Sequence, residues 1–297
     1  MQVCQIVLCV NFFDKFRFFA ESAEYVNMQR VFENIVYKKR GNLELGLTLH
    51  MPELVPEEGA PVIVFIHGGG FTSGRRFEIF PERLGQILSA NIACASISYS
   101  LVGNGANTVY DCAVDCFDAA RFLSKNAKTL GLNSGKMAFY GRSAGGLLAL
   151  LCGTACPCGF LGSPELQSYK FTPQCVCAVS AVCDFLSFKN ASPALVKGLF
   201  GKNATMESDI VKNLTPSEYI NKDMPEVLLV HGTADTTVPI DCAVRYYQKA
   251  AKLSSKISFL QMPNGGHKLE CPNAVFAAEF AKTQFTSQLD MYKRNLL

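Results

Sequence analysis

The 297-residue chain has no tryptophan, only four histidines and few charged residues, 18% in all. Without tryptophan the chain lacks the broadest stacking platform, which argues against extended polysaccharide binding, although Tyr and Phe also stack on sugars. No apolar run approaches the length of about eighteen residues that a membrane-spanning helix needs, so no membrane span is expected. Net charge is +3 with Lys and Arg scattered, so no basic stripe marks a nucleic-acid partner. The glycine run at 68–70 is not followed by Gly-Lys-Ser/Thr and has no G-x-G-x-x-G spacing, which weighs against a phosphate cradle. There are thirteen cysteines, yet Cys156-Pro157-Cys158 and Cys175-Val176-Cys177 miss the C-x2-C spacing of a zinc site. Cys175 and Cys177 share one face of a predicted strand and read as small buried apolar residues. Reduced thiols of this kind point to a cytoplasmic chain, with an extracellular disulfide set as the lesser alternative. The sequons at Asn190, Asn203 and Asn213 matter only on a secretory route. Asp14, Lys15 and Arg17 interrupt Met1–Ala20, which reads as a strand or helix packed on the body and not as a signal peptide.

What is present is a set of four short segments, each just past a predicted strand. Gly141-Arg142-Ser143-Ala144-Gly145 lies between the apolar run Met137–Tyr140 and the helical run Gly146–Leu151. Glycines two residues either side of Ser143 allow strand and helix to approach closely and push the hydroxyl into a cleft. His67-Gly68-Gly69-Gly70-Phe71 follows the β-branched run Pro61–Ile66, and glycines at a strand end expose backbone N–H groups able to hold an oxyanion. A tight strand-to-helix turn without chemistry is the plainer alternative for that segment. Val227–Gly232 leads into Thr233-Ala234-Asp235, and Ile257–Leu260 into Pro263-Asn264-Gly265-Gly266-His267.

Elimination then narrows the base. In a triad ordered nucleophile, acid, base, His50 and His67 come too early and His231 precedes Asp235, which leaves His267. Acids after Ser143 include Asp184, Asp209, Asp223, Asp235 and Asp241. Asp235 is preferred because it falls just past a strand and precedes Val238-Pro239 and a new helix. Asp184 also ends a strand and stays as the reserve acid. An Asx-turn role for Asp235 is the structural alternative.

HGGGF at 67–71, GRSAGG at 141–146, HGTAD at 231–235 with Val238-Pro239, and GGH at 265–267 occur in one order. In this the chain resembles α/β-hydrolases of the esterase/lipase group with an H-G-G-G motif, the hormone-sensitive-lipase-like and related carboxylesterases. The resemblance covers about residues 33–290, and Tyr99-Ser100-Leu101 and Asp115 fall where that group has a Tyr-Arg-Leu segment and a helix-borne aspartate. Ser100 stands where many relatives have Arg, and Arg142 at a position often acidic or small. The short leading segment fits a compact, acetyl- or feruloyl-esterase-like branch. The resemblance implies a Ser143–Asp235–His267 triad with Gly69 and Gly70 in the oxyanion hole. Ala144, the residue after the nucleophile, joins them by the general elbow geometry. Such chemistry requires no metal and no organic cofactor. A peptidase- or formamidase-like activity on the same residues, or a non-catalytic ligand-binding relative, are the rival readings.

Strands are predicted near 61–66, 92–98, 136–140, 176–182, 226–230 and 256–261. Helices are predicted near 79–89, 108–129, 144–152, 239–253 and 273–288. A hairpin precedes them around Arg40-Gly41-Asn42. Asp111, Asp115 and Asp118 are expected to favour the start of the long helix. The alternation predicts an α/β fold: a single domain over 1–297, a three-layer α/β/α sandwich on a mostly parallel sheet. Residues 185–222 break the alternation and read as a helical connection or, as preferred here, as a small lid forming the acyl pocket. A lid so short leads to an expected preference for short-chain esters, of about two to six acyl carbons, because each sheltered methylene contributes only about 0.8 kcal/mol.

Overall fold

The computed structural model of the chain describes residues 30–76, 81–155, 157–188, 191–253 and 256–297. The readings of Met1–Ala20, of Cys156 and of the Asn190 sequon lie outside the described residues. The strands are β1 (Arg30–Arg40), β2 (Leu43–Met51), β3 (Ala60–Ile66), β4 (Ala93–Ile97), the short β5 (Leu101–Val102) and β6 (Gly105–Ala106), β7 (Leu132–Arg142), β8 (Pro173–Val179), β9 (Glu226–Gly232) and β10 (Ile257–Met262). The helices are α1 (Pro81–Ser89), α2 (Val109–Lys125), α3 (Ala127–Leu130), α4 (Ala144–Thr154), α5 (Pro193–Phe200), α6 (Asp209–Asn213), α7 (Asp241–Ala251) and α8 (Ala274–Leu296).

Eight strands form one sheet in the order β1-β2-β4-β3-β7-β8-β9-β10. The β1–β2 and β2–β4 pairs are antiparallel, and every later pair is parallel. This is the mostly parallel α/β sandwich expected. Strand periodicity divides the side chains between two buried layers. In β3, Val62, Val64 and Ile66 join the larger core with residues of α2, α4 and α7, while Ile63 joins a second core with Phe285, Met291 and Tyr292 of α8. Helix α1 covers the same second face through Ile87. Cys175 and Cys177 are buried on that face, as their spacing indicates.

The long helix α2 starts as its sequence suggests, but two of its aspartates do other work. Asp111 accepts the N–H groups of Asn107 and Thr108 and closes a capping box. Asp115 and Asp118 are fully buried and meet cations from the sheet edge. Lys38 Nζ lies 2.7 Å from Asp115 and 2.8 Å from Asp118. Arg40 reaches Asp115 at 3.0 Å, and Arg121 reaches Asp118 at 3.1 Å. Ser100 gives Asp115 its backbone N–H at 3.0 Å and its hydroxyl. The cations that meet Asp115 come from β1. A register shift between Val36 and Lys38 in the β1–β2 ladder breaks the usual alternation, so Tyr37 and Lys38 both turn inward.

Residues 185–222 hold α5, α6 and two short 3-10 turns. Phe185, Val196, Phe200, Val211 and Leu214 are buried in the larger core, with α5 against α2.

Candidate active site

The elbow is built from glycine and positive φ. Ser143 follows β7 directly and caps α4 with φ +54° and ψ −121°, a strained conformation for a residue with a side chain. Its N–H donates to Val179 of β8 at 2.8 Å, which ties the turn to the sheet. A Cβ on Gly145 would sit 2.2 Å from the Ile66 carbonyl oxygen, and one on Gly141 2.0 Å from that of Gly145. Both flanking positions therefore exclude any side chain.

The three polar side chains converge as expected. His267 Nε2 lies 2.9 Å from Ser143 Oγ, and its Nδ1 lies 2.8 Å from Asp235 Oδ2. Asp235 Oδ1 accepts the N–H groups of Thr237 and Val238, each at 2.9 Å. The carboxylate is thus aimed at His267 by its own Asx-turn. The acid and base loops are laced together: Thr233 N–H donates to Met262 and Ala234 N–H to Gly265, both at 2.9 Å.

His231 is buried beside this pair. Its Nε2–H donates to the Val238 carbonyl at 2.9 Å and lies 3.1 Å from Asp235 Oδ2. Burial pushes its pKa below the usual histidine range, against the pull of Val238 and Asp235. The reserve acid Asp184 is apart from the triad and is held by Arg245 Nε at 2.8 Å.

The glycine loop leans on the elbow. A Cβ on Gly68 would lie 3.5 Å from Ser143 Cβ. Gly69 and Gly70 have φ of +117° and +60°. Among the described residues, no hydrogen bond uses the N–H groups of Gly69, Gly70 or Ala144. His67 stacks on Tyr99 with ring centroids 4.3 Å apart, and the Tyr99 hydroxyl donates to the His67 carbonyl at 3.1 Å. That pair is the pillar of the glycine loop.

One residue was noticed in the sequence without being understood. Arg142 donates from Nη2 to the carbonyl of His267 at 3.0 Å, so the residue before Ser143 grips the backbone of the His267 loop. Nothing in the spacing announces a contact across 125 residues.

A cavity of about 610 Å³ opens at Ser143, His267 and the glycine loop. It runs between the sheet and α8, where Ala277, Phe280, Ala281, Gln284, Phe285 and Gln288 present one helical face to it. No described residue of 185–222 lines it. The buried apolar residues of 185–222 join the larger core, whereas Phe280 and Phe285 of α8 belong to the second one. The cavity escaped the sequence reading because α8 residues read only as a covering helix.

The model of the BD-FAE family matches residues 47–250, a span that takes in the glycine loop, the elbow and the acid loop. Esterase LipC of Mycobacterium tuberculosis is 21% identical over 224 residues, which are 72% of this chain and 54% of that protein. The chain thus spans about half the length of the curated relatives it matches. The apo form of Thermogutta terrifontis esterase 2 superposes with a TM-score of 0.75 at 22% identity, over 89% of this chain and 95% of that one. The same esterase phosphorylated by paraoxon gives a TM-score of 0.68 at 22% identity, with the same coverage of 89% and 95%. These superpositions show the fold, and the family match extends over most of it: the chain belongs to the BD-FAE family of α/β-hydrolases.

Proposed function

We propose that this chain is a serine hydrolase of carboxylic esters, with Ser143 as nucleophile, His267 as base and Asp235 as the orienting acid. The observation that carries the reading is the unbroken relay from Ser143 Oγ through His267 to Asp235, at 2.9 and 2.8 Å. His267 takes the Ser143 proton as Oγ attacks the ester carbonyl. Asp235 fixes the Nδ1–H tautomer and stabilises the imidazolium. The N–H groups of Ala144, Gly69 and Gly70 receive the oxyanion. The proton then passes to the leaving alkoxide, and water, activated by the same imidazole, releases the acid. The unspent state of those three N–H groups supports this role, since orphan donors near a nucleophile have a ready acceptor in the transition state. A single domain over the whole chain belongs to the same proposal. The chamber under α8 receives the acyl group, and the preference for short-chain esters belongs to the same proposal. Paraoxon is recorded on the Thermogutta relative and serves as a probe here. Wild-type protein is expected to gain one diethylphosphoryl group at Ser143 and to hydrolyse 4-nitrophenyl butyrate. Folded Ser143→Ala is expected to do neither. Stoichiometric labelling of the Ala variant, or ester turnover at more than a few per cent of wild type, refutes the assignment.

A further inference from the structure

Helix α8 turns two amides toward the chamber and leaves each of them incomplete. Gln284 and Gln288 both line it, at 2% and 3% exposure. Among the described residues nothing accepts from Gln284 Nε2, and nothing donates to Gln288 Oε1. Gln288 spends its Nε2 on the Tyr292 hydroxyl at 3.1 Å. The chamber's other walls include the apolar Ile63, Phe65, Ile87 and Phe280. Buried polar atoms without partners are rare unless a ligand or water completes them. Two on one helical face, in a chamber that opens at Ser143, mark a recognition point.

The free pair is one donor and one acceptor a helical turn apart, with Cβ atoms about 5–6 Å from each other. Side chains of a helix lean toward its start, so Gln288 reaches back toward Gln284. Only a group that takes one hydrogen bond and gives another suits both. A carboxylate cannot give one, and an ammonium cannot take one. A single hydroxyl does both. Turning the Gln288 amide over would make it a second donor, and an ether would then serve as well as a hydroxyl; a methoxy probe separates the two cases. Depth follows from the sheet. Gln284 precedes Phe285, which shares the second core with Tyr140 of β7. Tyr140 lies three residues before Ser143, about 10 Å at the rise of a strand. An extended chain of six carbons ending in oxygen covers about 7 Å, at roughly 1.2 Å per bond by backbone dimensions, and a hydrogen bond adds about 3 Å.

Resting on the ester-hydrolase reading, we propose that the chamber is an acyl site for esters of hydroxyalkanoic acids, whose terminal hydroxyl accepts from Gln284 and donates to Gln288. The apolar walls hold the chain between that hydroxyl and Ser143. The acyl side is assigned because the alcohol leaves after the first step, whereas the acyl group stays bonded to Ser143 until water arrives. The ester C–O bond breaks, His267 hands its proton to the alcohol, and hydrolysis of the Ser143 ester releases the free hydroxy acid.

Initial rates with 4-nitrophenyl 6-hydroxyhexanoate and 4-nitrophenyl heptanoate test this, since heptanoate puts a methyl where the hydroxyl would sit. An apolar wall alone favours heptanoate, through the burial of that methyl. Two hydrogen bonds instead predict a kcat/KM ratio of about tenfold in favour of the hydroxy ester, with 4-nitrophenyl 6-methoxyhexanoate well behind it. Folded Gln284→Met and Gln288→Met are each expected to bring the ratio to one or below. A wild-type ratio under about threefold, a methoxy ester as fast as the hydroxy ester, or a ratio kept by both variants overturns the proposal while the hydrolase reading stands. So does a preference found only on the alcohol side, read as 4-hydroxybutyl acetate against pentyl acetate. Calorimetric binding of methyl 6-hydroxyhexanoate and methyl heptanoate to Ser143→Ala separates the two claims. Glutamine-dependent preference for the hydroxy ester, without any ester turnover by wild type, keeps the chamber site and removes the hydrolase. Equal binding of the two removes the site.

Discussion

Replacing Asp235 by Asn tests the relay more sharply than deleting it. The two backbone donors at Thr237 and Val238 fix which amide atom goes where. Only the Asn oxygen can accept them, so its NH2 must turn toward His267 Nδ1 and His231 Nε2. His267 then accepts at Nδ1 and carries its proton on Nε2, pointing at Ser143 Oγ. In that tautomer it cannot take the serine proton. The expected loss in kcat is about 10⁴-fold, the scale for a triad locked in the wrong tautomer. His231 is also caught, since its Nε2–H faces a donor; either that clash stays or the Val238 bond is lost. A buried unmet donor costs about 1–3 kcal/mol. The variant should therefore fold with a melting temperature lowered by several degrees. Steady-state hydrolysis of 4-nitrophenyl butyrate and circular-dichroism melting measure both effects. Asp184→Asn is the control: it loosens Arg245 and should keep most of its turnover. A folded Asp235→Asn within tenfold of wild type, or a more severe loss in folded Asp184→Asn, refutes the reasoning.

The remaining predictions concern stability and the elbow. Burial lowers the pKa of both His231 and His50, so the unfolded chain binds protons that the fold refuses. Their contribution is full above the unfolded value of about 6.5 and is lost as pH falls below it; melting followed between about pH 7.5 and 5.5 should show this, with a shallower decline in His231→Gln. An equally steep decline in that variant removes His231 from the account. Gly145→Ala drives a Cβ into the Ile66 and His67 carbonyls at 2.2 and 2.3 Å, so soluble yield and activity should fall together. An Ala variant with wild-type melting and turnover contradicts the packing described. Lys38→Met strips a cation from two buried carboxylates, and urea denaturation should register a loss of about 3–5 kcal/mol; an unchanged midpoint rejects that role.

Much of this molecule was legible because its chemistry is local. Gly141, Ser143 and Gly145 form one turn, and chain order together with closeness to a strand end singled out His267 and favoured Asp235 over Asp184. The strands also announced themselves through β-branched runs bounded by glycine. What escaped depends on partners far apart in the chain. Asp115 and Asp118 looked like helix-start charges because Lys38 and Arg40 are brought to them only by the hairpin and its bulge. Arg142 looked like an oddity because its acceptor lies on another loop. Gln284 and Gln288 fall at positions where a helix buries its stripe, and only packing reveals a chamber there.

The β1 hairpin has a consequence for where this protein can be cut. The stretch that aligns with the family begins at residue 47, inside β2, whereas the cations that neutralise α2 sit at 38 and 40. The homologous region and the smallest autonomous unit are therefore different objects. A version whose first residue is set at the start of the aligned stretch would keep Ser143, Asp235 and His267 and lose the counter-ions of α2. It would also bare a strand edge for other chains to pair with. Whoever shortens this protein should let the ion cluster, and not the alignment, choose the first residue.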